Sequence, residues 1–194
     1  MLAGVRTLIV VPHGALTYLP MAALARETPS GARYLVEDYS VIMLASASAL
    51  PLLRARAAAH GAEQASVLAP LPAELPASGA EVSAVVRASP GARSWIGDAA
   101  TERILREALA RGDVVHVASH GQYDAGNPMF SAIRLASTSE RFGSDDDGRL
   151  ETHEVLSMTV RSPLVFLSGC ETALGPAWGT SFERSDDYVT LSQA

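Results

Sequence analysis

The chain has 194 residues, and 48% of them are hydrophobic, a composition typical of a folded globular protein with one good-sized core. The formal net charge is −6, and the 15 basic residues, all arginine, form no cluster. The chain therefore lacks the positive surface that nucleic-acid binding normally requires. No apolar run approaches the roughly 20 residues that cross a bilayer. We expect neither nucleic acid nor a membrane as a direct partner.

Cys170 is the single cysteine of the chain, so no internal disulfide can form. The N-terminus has no charged segment followed by an apolar core and a cleavage site, which is the pattern of a secretory signal peptide. Together these features predict a protein of the reducing cytoplasm.

Apolar runs with the length of strands alternate with helical patterns along the chain. The predicted strands are Thr7–Val11, Tyr39–Leu44, Ser66–Ala69, Arg93–Ile96, Asp113–Ala118, Ile133–Ala136 and Leu164–Ser168. The predicted helices are Ser48–His60, Ser78–Ala88 and Thr101–Arg111. Because strands that alternate with helices usually pair in parallel, the sequence predicts an α/β fold with a parallel sheet.

Three local signals support the predicted helices. Pro51 falls in the first turn of the first helix, where its missing N–H is tolerated. Ser78 and Glu81 have the spacing of a capping box at the start of the second helix. Glu102 and Arg106 form an i,i+4 pair with the acid first, which is the favourable order, in the third helix.

Two segments are predicted to be exposed loops. Ala69–Pro76 contains three prolines, which remove backbone donors and disfavour a helix. Ser137–Gly148 is polar and contains three adjacent aspartates. We interpret both segments as loops inside a single domain that spans residues 1–194.

The most informative residues are His120 and Cys170, each of which follows directly after a predicted apolar strand. Ligands of parallel α/β sheets bind at the carboxyl ends of the strands, so both side chains should emerge at the same edge. They are 50 positions apart (170 − 120), the spacing between the histidine and the cysteine of caspases. The sequence therefore predicts a catalytic dyad.

The chemistry of such a dyad needs these residue types. A free thiol has a pKa of about 8.5, and a neighbouring imidazole both lowers this value and later donates a proton to the leaving amine. Gly121 and Gly169 flank the dyad without side chains, and the backbone N–H groups of Gly121 and Cys170 are candidate oxyanion donors. The alternative is that Cys170 is a buried structural thiol and His120 a loop residue.

Several motifs of the chain resemble those of one family, the CHAT domains. The matching segments are residues 114–121 (VVHVASHG), Pro128 with Ser131, Gly148 with Leu150, Glu154 with Val155, and residues 167–175 (LSGCETALG). Residues 8–24 (LIVVPHGALTYLPMAAL) resemble the usual start of the domain. The resemblance extends over nearly the whole chain.

The resemblance implies a caspase-like fold, a three-layer α/β/α sandwich with a mostly parallel central sheet. It also implies a cysteine endopeptidase that cleaves a protein or peptide with His120 and Cys170 as its dyad, and no cofactor. Gly169, Glu171 and Thr172 would shape the loop around the cysteine. Independently of the resemblance, the position of His116 in an apolar strand favours a buried residue that supports the site. Such domains are commonly attached to tetratricopeptide repeats, so a repeat or other regulatory module is expected in the parent protein.

The resemblance further predicts that the domain is incomplete at its C-terminus. CHAT domains normally continue past the glycine-rich loop into a helix, a strand and a last helix. Ser185 with Asp186 and Asp187 has the pattern of a capped helix start. The two aspartates could equally line a pocket for a basic side chain.

Metal sites are alternative interpretations of two segments. His116 and His120 are about 13 Å apart on a strand, which is too far for them to chelate one ion, so zinc is not expected. Residues 143–154 match five positions of a calcium-binding loop but have glycine, Gly143, in place of the first carboxylate. A solvated acidic loop explains this segment better.

A rival interpretation keeps the fold and removes the chemistry. A catalytically silent protein-interaction domain would tolerate an inert cysteine or a displaced imidazole, whereas a peptidase needs both groups within hydrogen-bonding reach. The chain has neither the nucleophile motif of serine hydrolases nor a phosphate-binding glycine-rich loop with lysine.

Overall fold

The computed structural model describes residues 4–13, 16, 19–59, 64–124, 126–138 and 146–169. Within them, residues up to Arg54 form one compact unit and those from Ala55 onward form a second. The prediction of a single domain over residues 1–194 stays a prediction. None of the helices in the described ranges is long and apolar enough to cross a membrane.

The first unit contains two pairs of short strands. Strand β1 (Thr7–Val10) pairs in parallel with β4 (Ser40–Met43), and β2 (Ala25–Thr28) forms an antiparallel hairpin with β3 (Gly31–Tyr34). The hairpin turns sharply because Gly31 adopts a φ of 112°, which a residue with a Cβ rarely does. The helices of this region are α1 (Leu35–Asp38) and α2 (Ala49–Ala59), the second of which continues past Arg54.

A four-stranded parallel sheet is the centre of the second unit. Its strands stand in the order β11-β7-β5-β6. They are β5 (Ala65–Ala69), β6 (Arg93–Ile96), β7 (Val114–Ala118) and β11 (Val165–Ser168). Branched and small apolar residues dominate β5 and β7, as expected for central strands that are covered on both faces.

Helices cover both faces of this sheet. On one face, α3 (Ser78–Ala88) packs its Val82 against Val67 of β5. On the other, α4 (Glu102–Arg111) packs its Leu105 against the neighbouring Leu68. Because successive side chains of a strand alternate between faces, the central strands β5 and β7 each contribute to both clusters. The second unit is thus a three-layer α/β/α arrangement, as predicted.

A small antiparallel sheet contributes to the hydrophobic core on the α4 side of the parallel sheet. It consists of β8 (Gly121–Gln122), β9 (Ala132–Arg134) and β10 (Arg149–Glu151), and α5 (Thr152–Ser157) follows. Its residues Ile133 and Leu150 are buried in the core that also contains Leu105. Strand β8 begins three residues after β7 ends, so this sheet starts directly at the carboxyl end of β7.

The ends of α4 follow the signals of its sequence. The side chain of Thr101 caps the helix by accepting a hydrogen bond from the N–H of Ile104 at 3.3 Å. Gly112 ends the helix with a φ of 92°. The predicted pair of Glu102 and Arg106 is confirmed, with 2.6 Å between Oε1 and Nη2.

The predicted capping box of α3 is wrong. Ala77 occupies the N-cap position with helical backbone angles, and Ser78 is already the first residue of the helix. The Ser78 hydroxyl donates to the carbonyl of Leu75 at 2.7 Å, and the Glu81 carboxylate bonds to His116 instead of the helix start. The preceding turn satisfies the serine locally, so no box forms.

The other element predictions agree with the structure to within one residue at each end, except for the strand at Ile133–Ala136. That strand is Ala132–Arg134, and it belongs to the antiparallel sheet rather than the parallel one. The elements that the sequence patterns did not predict are β2, β3, β8, β10, α1 and α5.

Candidate catalytic site

The candidate site lies at the carboxyl ends of β7 and β11. The two strands pair in parallel from Val115 opposite Val165 to Ala118 opposite Ser168, a constant offset of 50 positions (165 − 115). One residue further, the N–H of Ser119 donates to the carbonyl of Ser168 at 3.1 Å. The pairing of the two strands therefore extends to the edge of the sheet where the candidate residues follow.

Gly169 lies in tight contact with the backbone that precedes His120. A Cβ added to Gly169 would be 2.5 Å from the carbonyl oxygen of Ser119 and 3.4 Å from the nitrogen of Gly121. Real Cβ atoms do not approach a backbone oxygen so closely, so this position requires glycine. Cys170, the next residue, lies outside the described residues, as do Glu171, Thr172, Asp186 and Asp187.

Strand β9 fixes the backbone of His120. The N–H of Arg134 donates to the carbonyl of His120 at 3.0 Å, and the buried Ser119 hydroxyl donates to the carbonyl of Arg134. The residue that connects β7 to His120 is thus anchored from a different sheet. Its position depends on β9 as well as on β7.

The hydrogen bond from the Arg134 N–H to the His120 carbonyl also determines the direction of the Gly121 N–H. Because Arg134 bonds to the residue before Gly121, Gly121 and Ile133 are a non-hydrogen-bonded pair of the antiparallel ladder. The N–H of Gly121 is therefore directed away from β9. Its nitrogen is the atom that a Cβ at Gly169 would approach to 3.4 Å, on the side of β11.

A carboxylate stands next to the His120 imidazole. The Nε2 atom of His120, whose side chain is 34% exposed, is 3.4 Å from Oε2 of Glu74. Both oxygens of that carboxylate also accept hydrogen bonds from the Arg134 guanidinium, at 2.8 and 3.2 Å. Hydrogen bonding from Arg134 lowers the pKa of Glu74, and the charges of Arg134 and His120 act in the same direction.

His116 is buried in β7, as predicted, and does not share a site with His120. Its Nε2 is 2.8 Å from Oε1 of Glu81 on α3, and its ring stacks on Phe166 of β11 with centroids 5.0 Å apart. It therefore lies between α3 and the sheet and packs against the strand that leads to Gly169. Whether it supports catalysis stays a prediction.

The segment considered for calcium uses its acidic groups within the protein. The Glu154 carboxylate accepts hydrogen bonds from Arg106 and from the N–H of Glu151, at 2.6 and 2.7 Å. Gly143 and Asp145 lie outside the described residues. Among the residues that the structure describes, no three histidine, cysteine or acidic side chains are grouped so that they could hold a metal ion.

The sequence patterns do not indicate that Glu74, Arg134 and Glu81 are neighbours of the two histidines. Glu74 lies in the proline-containing loop, whose sequence predicts only an exposed connection. That loop follows β5, the strand beside β7, so it emerges at the same carboxyl edge of the parallel sheet. The signal that the sequence offers for Glu74 is its place in a loop that directly follows a predicted parallel strand. Arg134 reaches the site from β9, whose place in another sheet the sequence pattern did not indicate.

The sequence profile of the family described as CHAT domain matches residues 2–192. No curated protein sequence matches the chain significantly.

Proposed function

Because the chain belongs to the CHAT domain family, whose fold is caspase-like, we propose that it is a cysteine endopeptidase with His120 and Cys170 as its catalytic dyad. The substrate class is a protein or a peptide. The reaction needs no cofactor. Tetratricopeptide repeats or another module of the parent protein are the proposed regulators of access to the site.

The register between β7 and β11 is the observation that carries this proposal. The offset between the paired residues is 50 positions, and the same offset separates His120 from Cys170. Neighbouring strands lie about 4.8 Å apart, and residues opposite each other in parallel strands share a face of the sheet. A continued register would give the two side chains one face and one edge, which is the arrangement that proton transfer between them requires.

The proposed reaction begins with transfer of the Cys170 thiol proton to His120. The thiolate attacks the scissile carbonyl carbon, and the N–H groups of Gly121 and Cys170 stabilise the oxyanion that forms. When the intermediate collapses, the C–N bond breaks and the amine leaves with the proton from His120. Water, activated by the neutral imidazole, then hydrolyses the thioester and restores the thiol.

The pH dependence of thiol alkylation tests whether the dyad is assembled. The rate of Cys170 modification by iodoacetamide is measured from pH 5.5 to 9.5 and divided by the rate of the unfolded protein. We expect reactivity well below pH 8, since an imidazole partner stabilises the thiolate, and a loss of about tenfold or more at pH 6.5 in His120→Ala.

His153→Ala is the matched control for this experiment. His153 is an exposed histidine that, like His120, stands beside a carboxylate: its Nε2 is 2.9 Å from Oε2 of Glu151. Its replacement should leave the alkylation profile unchanged. A Cys170 that is unreactive, or equally reactive in His120→Ala, would reject the dyad and favour the silent interaction domain.

A further inference from the structure

Glu74 and Arg134 approach His120 from two separate elements. Glu74 extends from the loop after β5, and Arg134 extends from the end of β9. The guanidinium holds both carboxylate oxygens, and one of these oxygens, Oε2, is also the atom that stands 3.4 Å from the imidazole Nε2. Nucleophile–base pairs commonly have the base oriented by such a third group.

We propose that Glu74, held in place by Arg134, is the positioning residue that orients the His120 imidazole and stabilises its protonated form. This inference rests on the proposed function. With Nε2 facing Glu74, the other ring nitrogen, Nδ1, takes the proton of the Cys170 thiol. The resulting imidazolium carries one proton on each nitrogen, and its Nε2–H faces the carboxylate. Transfer of the Nδ1 proton to the leaving amine restores the neutral ring.

The pairing with Arg134 explains why the carboxylate acts on the histidine rather than on a substrate. A carboxylate that accepts two hydrogen bonds from one guanidinium has a fixed plane, which limits its reorientation. Arg134 is itself anchored, because its backbone N–H bonds to the His120 carbonyl at 3.0 Å. One residue of β9 therefore positions both the backbone of His120 and the carboxylate that faces its ring.

The test compares alkylation of Cys170 in the full chain and in Glu74→Gln, which keeps the shape of the side chain and removes its charge. We expect the rate at pH 6.5 to fall about 2- to 5-fold, the effect of losing an exposed ion pair. At pH 9.5 the rates should converge, because the thiol then ionises without help from the imidazole. A general distortion of the site would instead lower the rate at every pH.

Salt provides the second measurement. The ion pair is exposed to solvent, so raising the ionic strength to 1 M, where the screening length is about 3 Å, should reduce the difference between the two proteins. Glu107→Gln is the matched control. The Glu107 side chain is 48% exposed, close to the 47% of Glu74, and it pairs with Arg103 at 2.8 Å on α4, which does not contribute to the site. The rate of Cys170 alkylation in Glu107→Gln should equal that of the unmodified chain both at low ionic strength and at 1 M.

The outcomes separate this inference from the proposed function. If His120→Ala lowers the rate at pH 6.5 while Glu74→Gln matches Glu107→Gln, the role of Glu74 is rejected and the dyad stands. A loss in Glu74→Gln that is equal at all pH values, or unaffected by salt, also rejects it. If His120→Ala has no effect, the dyad itself is rejected and the role of Glu74 falls with it.

Discussion

Glu102 is a carboxylic acid whose ionisation is opposed by its surroundings. Its side chain is fully buried in the first turn of α4, and its Oε2 atom has no hydrogen-bond partner among the described residues. Burial raises the pKa of Glu102 to about 7, and the charges of Glu154 and Asp147 add to this rise, while Arg106 opposes it. The helix N-terminus also favours the anion but does not compensate for the burial.

The raised pKa predicts a stability that falls as the pH rises. Protonated Glu102 is favoured by the folded state, so its contribution is fully present below the unfolded pKa of 4.5 and is lost as the pH passes through about 7. Because one pKa unit corresponds to about 1.4 kcal/mol, the loss over this shift is on the order of 3 kcal/mol. Glu102→Gln, which stays neutral, should become more stable relative to the unmodified chain between pH 5 and pH 8.

Urea unfolding at several pH values measures this difference, with Glu107→Gln on the exposed face of the same helix as the control. The free energy of unfolding of the control should follow that of the unmodified chain. An unchanged difference between Glu102→Gln and the unmodified chain across this pH range would show that Glu102 is already ionised at pH 5.

At the scale of elements, the junction of β7 and β11 depends on the absence of a side chain at Gly169. Gly169→Ala would bring a Cβ to 2.5 Å from the Ser119 carbonyl oxygen, a backbone atom that cannot move independently of β7. We expect a loss of about 1–3 kcal/mol in the free energy of unfolding, as for overpacked positions, and loss of the His120-dependent reactivity of Cys170.

Gly79→Ala is the control, because we do not expect this substitution to lower the free energy of unfolding. Gly79 is in α3, and a Cβ there would meet nothing within 4 Å. Alanine favours a helix by about 1 kcal/mol over glycine, so this variant should be as stable as the unmodified chain or more stable. Urea unfolding of both variants decides the prediction, and equal stability of Gly169→Ala and Gly79→Ala would contradict it.

Elements were predictable where the sequence signal is local. Ser78–Ala88 has the predicted bounds because helical periodicity reflects the buried face of a helix. Arg93–Ile96 also has the predicted bounds, although most of its side chains are exposed. The antiparallel strands β8 and β10 are two and three residues long, too short to show a period, and they form by pairing with β9. The predicted capping box of α3 does not form, because the Ser78 hydroxyl donates instead to the carbonyl of Leu75 in the preceding turn.

At the scale of the whole molecule, the candidate site is assembled from separate segments of the second unit. The loop after β5, the end of β7, strand β9 and the end of β11 contribute Glu74, His120, Arg134 and Gly169. His120 and Gly169 could be predicted from the sequence because the ends of apolar strands are visible along the chain. The Glu74–Arg134 pair could not be predicted, because this contact joins residues that are 60 positions apart.

Cleavage of a peptide library tests the central claim, a peptidase that uses His120 and Cys170, most directly. A mixture of proteome-derived peptides is incubated with the full chain, with Cys170→Ala and with His120→Ala, and new termini are identified by mass spectrometry. We predict cleavages by the unmodified chain that share a preferred residue before the scissile bond and that disappear in both variants. Termini that are equally frequent with Cys170→Ala, or no new termini with any of the three proteins, would contradict the account.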